Sequence, residues 1–292
     1  LYSGPWVSTG ISKGGQTTIF YRYFYPDDVA VSIPYVAPFN NSLEDKRIYT
    51  FLDTVGSEEC RKKIRQFQIY MLQNADIAVD KLSWFSKGAG LKYSYLGSLR
   101  KAYEYAVLEY SFSFWQWGHS CTDIPAADNF DAALEHFQSV SDIGFFSDRD
   151  ITGYASQYYQ AATQMGNYGY NNDPFRPYLT QFKENPLATF PPKSAANIPP
   201  YDNSLNEKVD RWLKKQGNNF LYIYGGSDTW SADQIVPSDR VNSKSYVLPG
   251  KDHGQARIRN MSPAMQQDFA NQLKKWLGPV EVNMELLKVK KS

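Results

Sequence analysis

The segment Gly10-Ile11-Ser12-Lys13-Gly14 constrains the fold of this chain more than any other. It is a Gly-x-Ser-x-Gly pentapeptide between two different patterns. Ahead of it, Trp6-Val7-Ser8-Thr9 reads as a short strand. Behind it, Gly15-Gln16-Thr17-Thr18-Ile19-Phe20-Tyr21 can start a helix. A strand that turns sharply into a helix leaves no room for side chains beside the turning residue, so glycines are expected on both sides. Such a turn lifts a serine hydroxyl off the sheet edge. It also aims the next amide, that of Lys13, at any negative charge developing there. This is the setting of a nucleophile elbow in an α/β fold.

A serine nucleophile needs a base and a carboxylate to orient it, and in this setting they follow in the order Ser, Asp or Glu, His. The chain has three histidines. His119 sits in an aromatic stretch and His136 inside a helical pattern, and both read as structural. His253 lies in Pro249-Gly250-Lys251-Asp252-His253-Gly254, directly after the strand-like Ser245-Tyr246-Val247-Leu248. A histidine on a glycine-flanked loop after a late strand is where the base belongs. Phe220-Leu221-Tyr222-Ile223-Tyr224 reads as a buried strand ended by Gly225-Gly226. Asp228 follows it, at the carboxyl edge where α/β folds place function. Asp233 and Asp239 are reserve acids further from the strand end, and Asp252 reads as a solvated loop charge. Ser12, Asp228 and His253 are therefore the expected catalytic set, with the Lys13 amide as oxyanion donor.

These residues resemble a family. Thr9-Gly10-Ile11-Ser12-Lys13-Gly14-Gly15, Tyr25-Pro26-Asp27-Asp28-Val29 and Tyr35-Val36-Ala37-Pro38 resemble the secreted bacterial tripeptidyl aminopeptidases. Tyr224-Gly225-Gly226-Ser227-Asp228-Thr229-Trp230 and Gly250-Lys251-Asp252-His253-Gly254 resemble that family's acid and base segments. More distantly the chain is similar to the prolyl carboxypeptidase and dipeptidyl peptidase II group. The resemblance implies an α/β-hydrolase core with a helical cap, and a serine exopeptidase that works without cofactor or metal in a secreted or periplasmic setting.

Composition narrows the partners. The 292 residues suffice for a core and a cap. With 31 basic and 30 acidic residues the net charge is +1, which gives no field to recruit nucleic acid or an anionic membrane. No apolar run is long enough for a membrane helix. Two cysteines, Cys60 and Cys121, are too few for a disulfide framework, and whether they pair stays open. The short run ahead of Ser12 leaves no space for the strands that precede an elbow in an α/β hydrolase. The expectation is a core whose front half of the sheet is supplied from upstream, in the same protein or as a separate chain.

Far more chain separates Ser12 from Asp228 than a strand and two helices require. The expected organisation is core over residues 1–40, helical cap over 41–200, and core again over 201–292. Ile64, Phe67, Met71, Ala75, Ala78, Leu82 and Phe85 form one continuous helix face, with Gly88 as its stop. Leu99, Tyr103, Val107, Tyr110 and Phe114 mark a second helix. Leu205, Val209, Trp212 and Leu213 mark a core helix, and Ser262-Pro263 caps the last one.

An aminopeptidase must hold a free ammonium, which calls for a carboxylate near the nucleophile. Glu44 and Asp45 follow directly after a core strand, and Glu109 lies in the apolar Val107-Leu108-Glu109-Tyr110, where an unpaired carboxylate is costly. In the alternative, Glu44 or Asp45 pairs with Arg47 or Arg61, and Glu109 pairs within the cap. Three functional classes follow: an exopeptidase acting on peptides with free N-termini, an esterase or lipase-like hydrolase with the same triad, and an inactive hydrolase-fold binding protein.

Overall fold

The structure, a computed structural model, describes residues 4–193, 197–278, 281 and 283. In chain order its elements are β1 (Val7–Ile11), α1 (Lys13–Phe24), β2 (Val31–Tyr35), α2 (Arg47–Thr54), α3 (Glu58–Gln73), α4 (Ala75–Gly88), α5 (Leu99–Gln116), α6 (Phe130–Val140), α7 (Asp148–Gly153), α8 (Ala155–Gln160), α9 (Pro186–Thr189), α10 (Ser204–Gln216), β3 (Leu221–Gly225), β4 (Lys244–Leu248) and α11 (Pro263–Leu277). They divide into two compact units. One draws on the described residues of Leu1–Phe39 and Ser204–Ser292, the other is Asn40–Asn203.

The first unit is built on a sheet. Val31-Ser32-Ile33-Pro34 and Leu221–Gly225 are buried at consecutive positions, as strands covered on both faces must be. The strands run in the order β1-β2-β3-β4, every pair parallel, with Ile11 opposite Tyr35 and Leu221 opposite Lys244. Pro34 sits inside the central strand β2 and has no N–H to give. The rungs toward β3 fall on either side of it, Ser32 N–H to Asn219 C=O and Val36 N–H to Ile223 C=O. One sheet face packs Val31, Ile33, Leu221 and Leu248 on Phe269 of α11. The other packs Phe220, Tyr222 and Tyr224 with Ile19 of α1 and with Val209 and Leu213 of α10. Ser262 caps α11 by accepting the Met265 N–H, with Pro263 in the first turn. Among the described residues β1 is an edge of the sheet, and its Val7 and Ile11, with Trp6 just before it, are exposed.

The second unit is helical. Its centre is α5, whose positions from Ala102 to Tyr110 are buried on every face. α3, α4 and α6 pack around it through Phe67, Met71, Leu82 and Phe137. The continuous helix expected from Ile64 to Phe85 is broken at Asn74, which takes φ −102° and ψ 22° while its side chain donates to the Tyr70 carbonyl. Past the break Phe85 turns outward and is exposed. Cys60 and Cys121 form a disulfide that ties the start of α3 to the loop after α5. Among the described residues no helix is long and apolar enough to cross a membrane.

Candidate active site

The elbow forms where the glycines demand it. Ser12 stands between β1 and α1 at φ 56°, ψ −121°, a backbone state that a residue with a side chain adopts only under constraint. Part of the constraint is its own N–H, bonded to the Tyr35 carbonyl at 2.9 Å. A Cβ on Gly10 would lie 2.2 Å from the Gly14 oxygen, and one on Gly15 2.8 Å from the Tyr35 oxygen. Glycine is required at both. At Gly14 a Cβ would meet nothing within 4 Å, so the flanking glycine after Ser12 is not there for space. Lys13 opens α1, the helix end that favours negative charge. Its ammonium donates to Gln16 Oε1 at 2.5 Å, and burial lowers its pKa.

Acid and base meet at the far strands. Asp228 follows β3 and is fully buried. Its Oδ2 lies 2.8 Å from His253 Nδ1, and its Oδ1 accepts the Trp230 N–H. Burial pushes the Asp228 carboxyl above its ordinary value, and the His253 hydrogen bond opposes that shift. His253, on the loop after β4, is itself buried. The loop lies against the end of β3 because Gly226 donates to the Leu248 carbonyl and Ser227 to that of Lys251. Ser12, Asp228 and His253 thus follow β1, β3 and β4 at the carboxyl edge of one parallel sheet. Asp252, expected as a solvated charge, is buried, and its Oδ1 accepts the Gln255 N–H. The reserve acids lie in different settings: Asp233 is buried, its carbonyl accepting the Phe39 N–H, and Asp239 is exposed. His136 shares a hydrogen bond with the Tyr110 hydroxyl and stands edge-on to Phe67, and His119 lies against Phe114.

The three carboxylates proposed from sequence differ sharply. Asp45 is engaged: Arg47 grips both its oxygens, at 2.9 and 2.6 Å, and the Asn41 and Arg47 N–H groups add two more bonds. Glu44 receives only neutral donors, the Tyr49 hydroxyl on Oε1 and Asn185 Nδ2 on Oε2 at 2.6 Å. Among the described residues no cationic side chain pairs with it. Glu109 is buried among three hydroxyls, Ser113 at 3.1 Å, Tyr168 at 2.9 Å and Tyr170 at 2.8 Å. Burial pushes its pKa up to about 7, against the pull of those hydroxyls. The two glutamates belong to one network, because the Tyr170 N–H donates to Asn185 Oδ1 while Asn185 holds Glu44. Gly169 lies against Glu44 and its two partners: a Cβ there would sit 2.6 Å from the Glu44 carboxyl carbon, 2.8 Å from the Tyr49 hydroxyl and 2.9 Å from Asn185 Nδ2. Tyr49 and Tyr170 also line a cleft in the helical unit, with Asp53, Arg61, Arg65 and Phe112 among its other walls.

Residues 1–285 match the family PS-10 peptidase S37. The chain belongs to this peptidase family. It is 29% identical over 286 residues to a prolyl tri/tetrapeptidyl aminopeptidase of Streptomyces mobaraensis, a match covering 95% of this chain and 59% of that protein. The chain thus spans about three fifths of the length of the curated relative it matches. The family resemblance read from the elbow, acid and base segments stands.

Sequence reasoning about this S37 peptidase missed the groups that hold its carboxylates. Tyr49, Tyr168, Tyr170 and Asn185 carry no local signal, and Asn185 reaches Glu44 across 141 residues. Arg61, a suggested partner of Glu44 or Asp45, instead donates to the carbonyls of Val55 and Gly56 at the end of α2. Arg257, four residues past His253, stands between Lys251 and Arg259 in sequence, with no local signal to single it out.

Proposed function

We propose that this S37 peptidase is a serine exopeptidase that releases short peptides, tripeptides foremost, from free N-termini through an acyl-enzyme. The observation that carries the proposal is the buried Asp228–His253 pair at 2.8 Å, on the same sheet edge as the strained Ser12. In this reading His253 takes the proton of the Ser12 hydroxyl as its oxygen attacks the scissile carbonyl, and Asp228 steadies the imidazolium that forms. The Lys13 N–H stabilises the tetrahedral oxyanion. His253 then protonates the departing amine, and water, deprotonated by the same ring, releases the acyl group as free peptide.

The parallel β1-β2-β3-β4 sheet with helices on both faces supports reading the first unit as the later part of an α/β-hydrolase core, and the helical residues as its cap. Further strands would complete the sheet beyond the exposed β1 edge. Glu44 is the anchor for the substrate ammonium, with Glu109 as the second carboxylate of its network. Asp45, held by Arg47, is the weakest of the three candidates. The cleft mixes charged and hydroxyl-bearing groups such as Asp53, Arg61 and Tyr49 with apolar walls such as Leu108, Trp115 and Phe175, a lining that a peptide's backbone and side chains can both use. The Cys60–Cys121 bridge supports a secreted or periplasmic setting.

The test uses the full-length protein on peptide amides with free or acetylated N-termini. Only the free amine should be cleaved efficiently, and Ser12→Ala should abolish cleavage without changing Tm. Efficient cleavage of the acetylated peptides would discard the aminopeptidase reading and leave an esterase or an endopeptidase.

A further inference from the structure

The His253 loop is tied to the sheet from two sides. Toward β3 the ties are backbone bonds, Gly226 N–H to Leu248 C=O and Ser227 N–H to Lys251 C=O. Toward β2 there is a side-chain tie. Arg257 donates from one guanidinium nitrogen to the carbonyls of His253, at 3.0 Å, and of Ala256, at 2.9 Å. The same guanidinium lies over the ring of Tyr35, 5.6 Å from its centroid. Tyr35 is also the residue whose carbonyl receives the Ser12 N–H. The next residue, Val36, is buried at φ 41°, a state a β-branched residue takes only when its surroundings impose it. The end of β2 is therefore fixed from its own side as well.

A half-buried arginine usually answers a carboxylate. Among the described residues no carboxylate contacts Arg257 directly; Asp228 and Asp252 act on it only through their longer-range field. One of its nitrogens serves the carbonyls of His253 and Ala256 while its flat face lies on an aromatic ring, a pairing of contacts that a planar guanidinium makes and a compact ammonium does not. We propose that Arg257 is a positioning residue: with Tyr35 it spans from the strand end that holds Ser12 to the loop that holds His253, and so fixes the separation of nucleophile and base. This rests on the serine-peptidase reading above. A base displaced by about an ångström loses chemistry and not substrate affinity, at a cost that can reach 100-fold.

The experiment measures Arg257→Met, Arg257→Lys and Tyr35→Leu in the full-length protein, by peptide hydrolysis and by the rate at which a fluorophosphonate labels Ser12. Arg257→Met should lower kcat about 30-fold with KM within about twofold, and should slow labelling by the same factor. Tyr35→Leu should show the same split, and the double variant should lose no more than the worse single one, because the two act as one tie. Arg257→Lys should recover only part of the loss, since an ammonium can reach the carbonyls but offers no flat face to the Tyr35 ring. The exposed Arg259→Met controls for removal of a nearby charge and should leave both rates unchanged. A loss carried by KM would assign Arg257 to substrate binding and overturn the proposal, as would a loss in Arg257→Met that follows a fall in Tm. Label lost in Ser12→Ala but not slowed in Arg257→Met would overturn this proposal alone. Label persisting in Ser12→Ala would overturn the serine reading and this proposal with it.

Discussion

Ser12 and Glu44 show how much a single residue's surroundings decide. Ser12 gains nothing locally from φ 56°. The clash that Gly10 and Gly15 avoid, and the bond to Tyr35, keep it there. Glu44 and Asp45 are neighbours of like chemistry, yet Arg47 pairs with Asp45 while Glu44 is held by a phenol and an amide. Glu44→Gln should therefore reduce kcat/KM on free-amine peptides by about 30-fold or more, while barely touching a small activated ester. Equal losses on both substrates would make Glu44 a structural group and move the ammonium site to Glu109. Glu109 makes a separate prediction. Its folded pKa of about 7 stands above the ordinary 4.5, so the folded state holds the proton more tightly. That contribution is complete below the unfolded pKa and is lost as pH rises through about 7, roughly 3 kcal/mol in all. Glu109→Gln should remove this slope, so its Tm should gain on the wild type between about pH 5 and pH 8. Parallel curves would show that the site does not hold the proton.

At the scale of elements, α5 is the frame of the helical unit. Its apolar stripe was legible as a helix face, but Glu104, Tyr105 and Phe112 lie off that stripe and are buried too. A stripe reports one packed side, and a helix covered on all sides needs partners that periodicity does not reveal. Glu104 shows what such a position does. It accepts the N–H groups of Thr180, Gln181 and Phe182, the Thr180 hydroxyl and Arg100 Nε, so one side chain holds a whole segment against α5. Burial works against its charge, but those bonds outweigh it and hold the carboxyl below its usual value. The resulting stability is present above the unfolded pKa and lost as pH falls through the folded one. Glu104→Gln should cost about 3 kcal/mol at neutral pH. Hydrogen exchange at residues 180–182 should quicken by more than exchange in α5 itself. Unchanged protection there would mean the segment is held by its neighbours.

Over the whole molecule, the near-neutral charge and the aromatic packing say little about function, and the covalent link says more. The Cys60–Cys121 bridge closes a loop of 61 residues, which removes about 4 kcal/mol of freedom from the unfolded chain. Reduction should lower the unfolding temperature of the helical unit, measured by calorimetry with and without reductant, and Cys60→Ala should reproduce the loss. A Tm indifferent to both would leave the bridge without a stabilising role. Pairing the two cysteines was not legible from their number, because it needs the start of α3 and the loop after α5 to be neighbours.

What the amino-acid order determined alone is what local sterics and periodicity carry. Gly10, Ser12 and Gly15 specify strand, turn and helix within a few residues. The order Ser12, Asp228, His253 follows from which strand each one ends, and Ser262-Pro263 opens α11 by chemistry confined to one turn. Packing fixed the rest. Asn74 breaks a face that periodicity runs through, and Asp252 is drawn inside by its own turn. Asn185 and Tyr170 reach the two glutamates from the far end of the helical unit, and Tyr35 meets Arg257 across the sheet edge. The physical reason is range. Steric exclusion and helical repeat act within a window of neighbours, whereas which donor satisfies a buried carboxylate depends on segments brought together only by burial of the core between them.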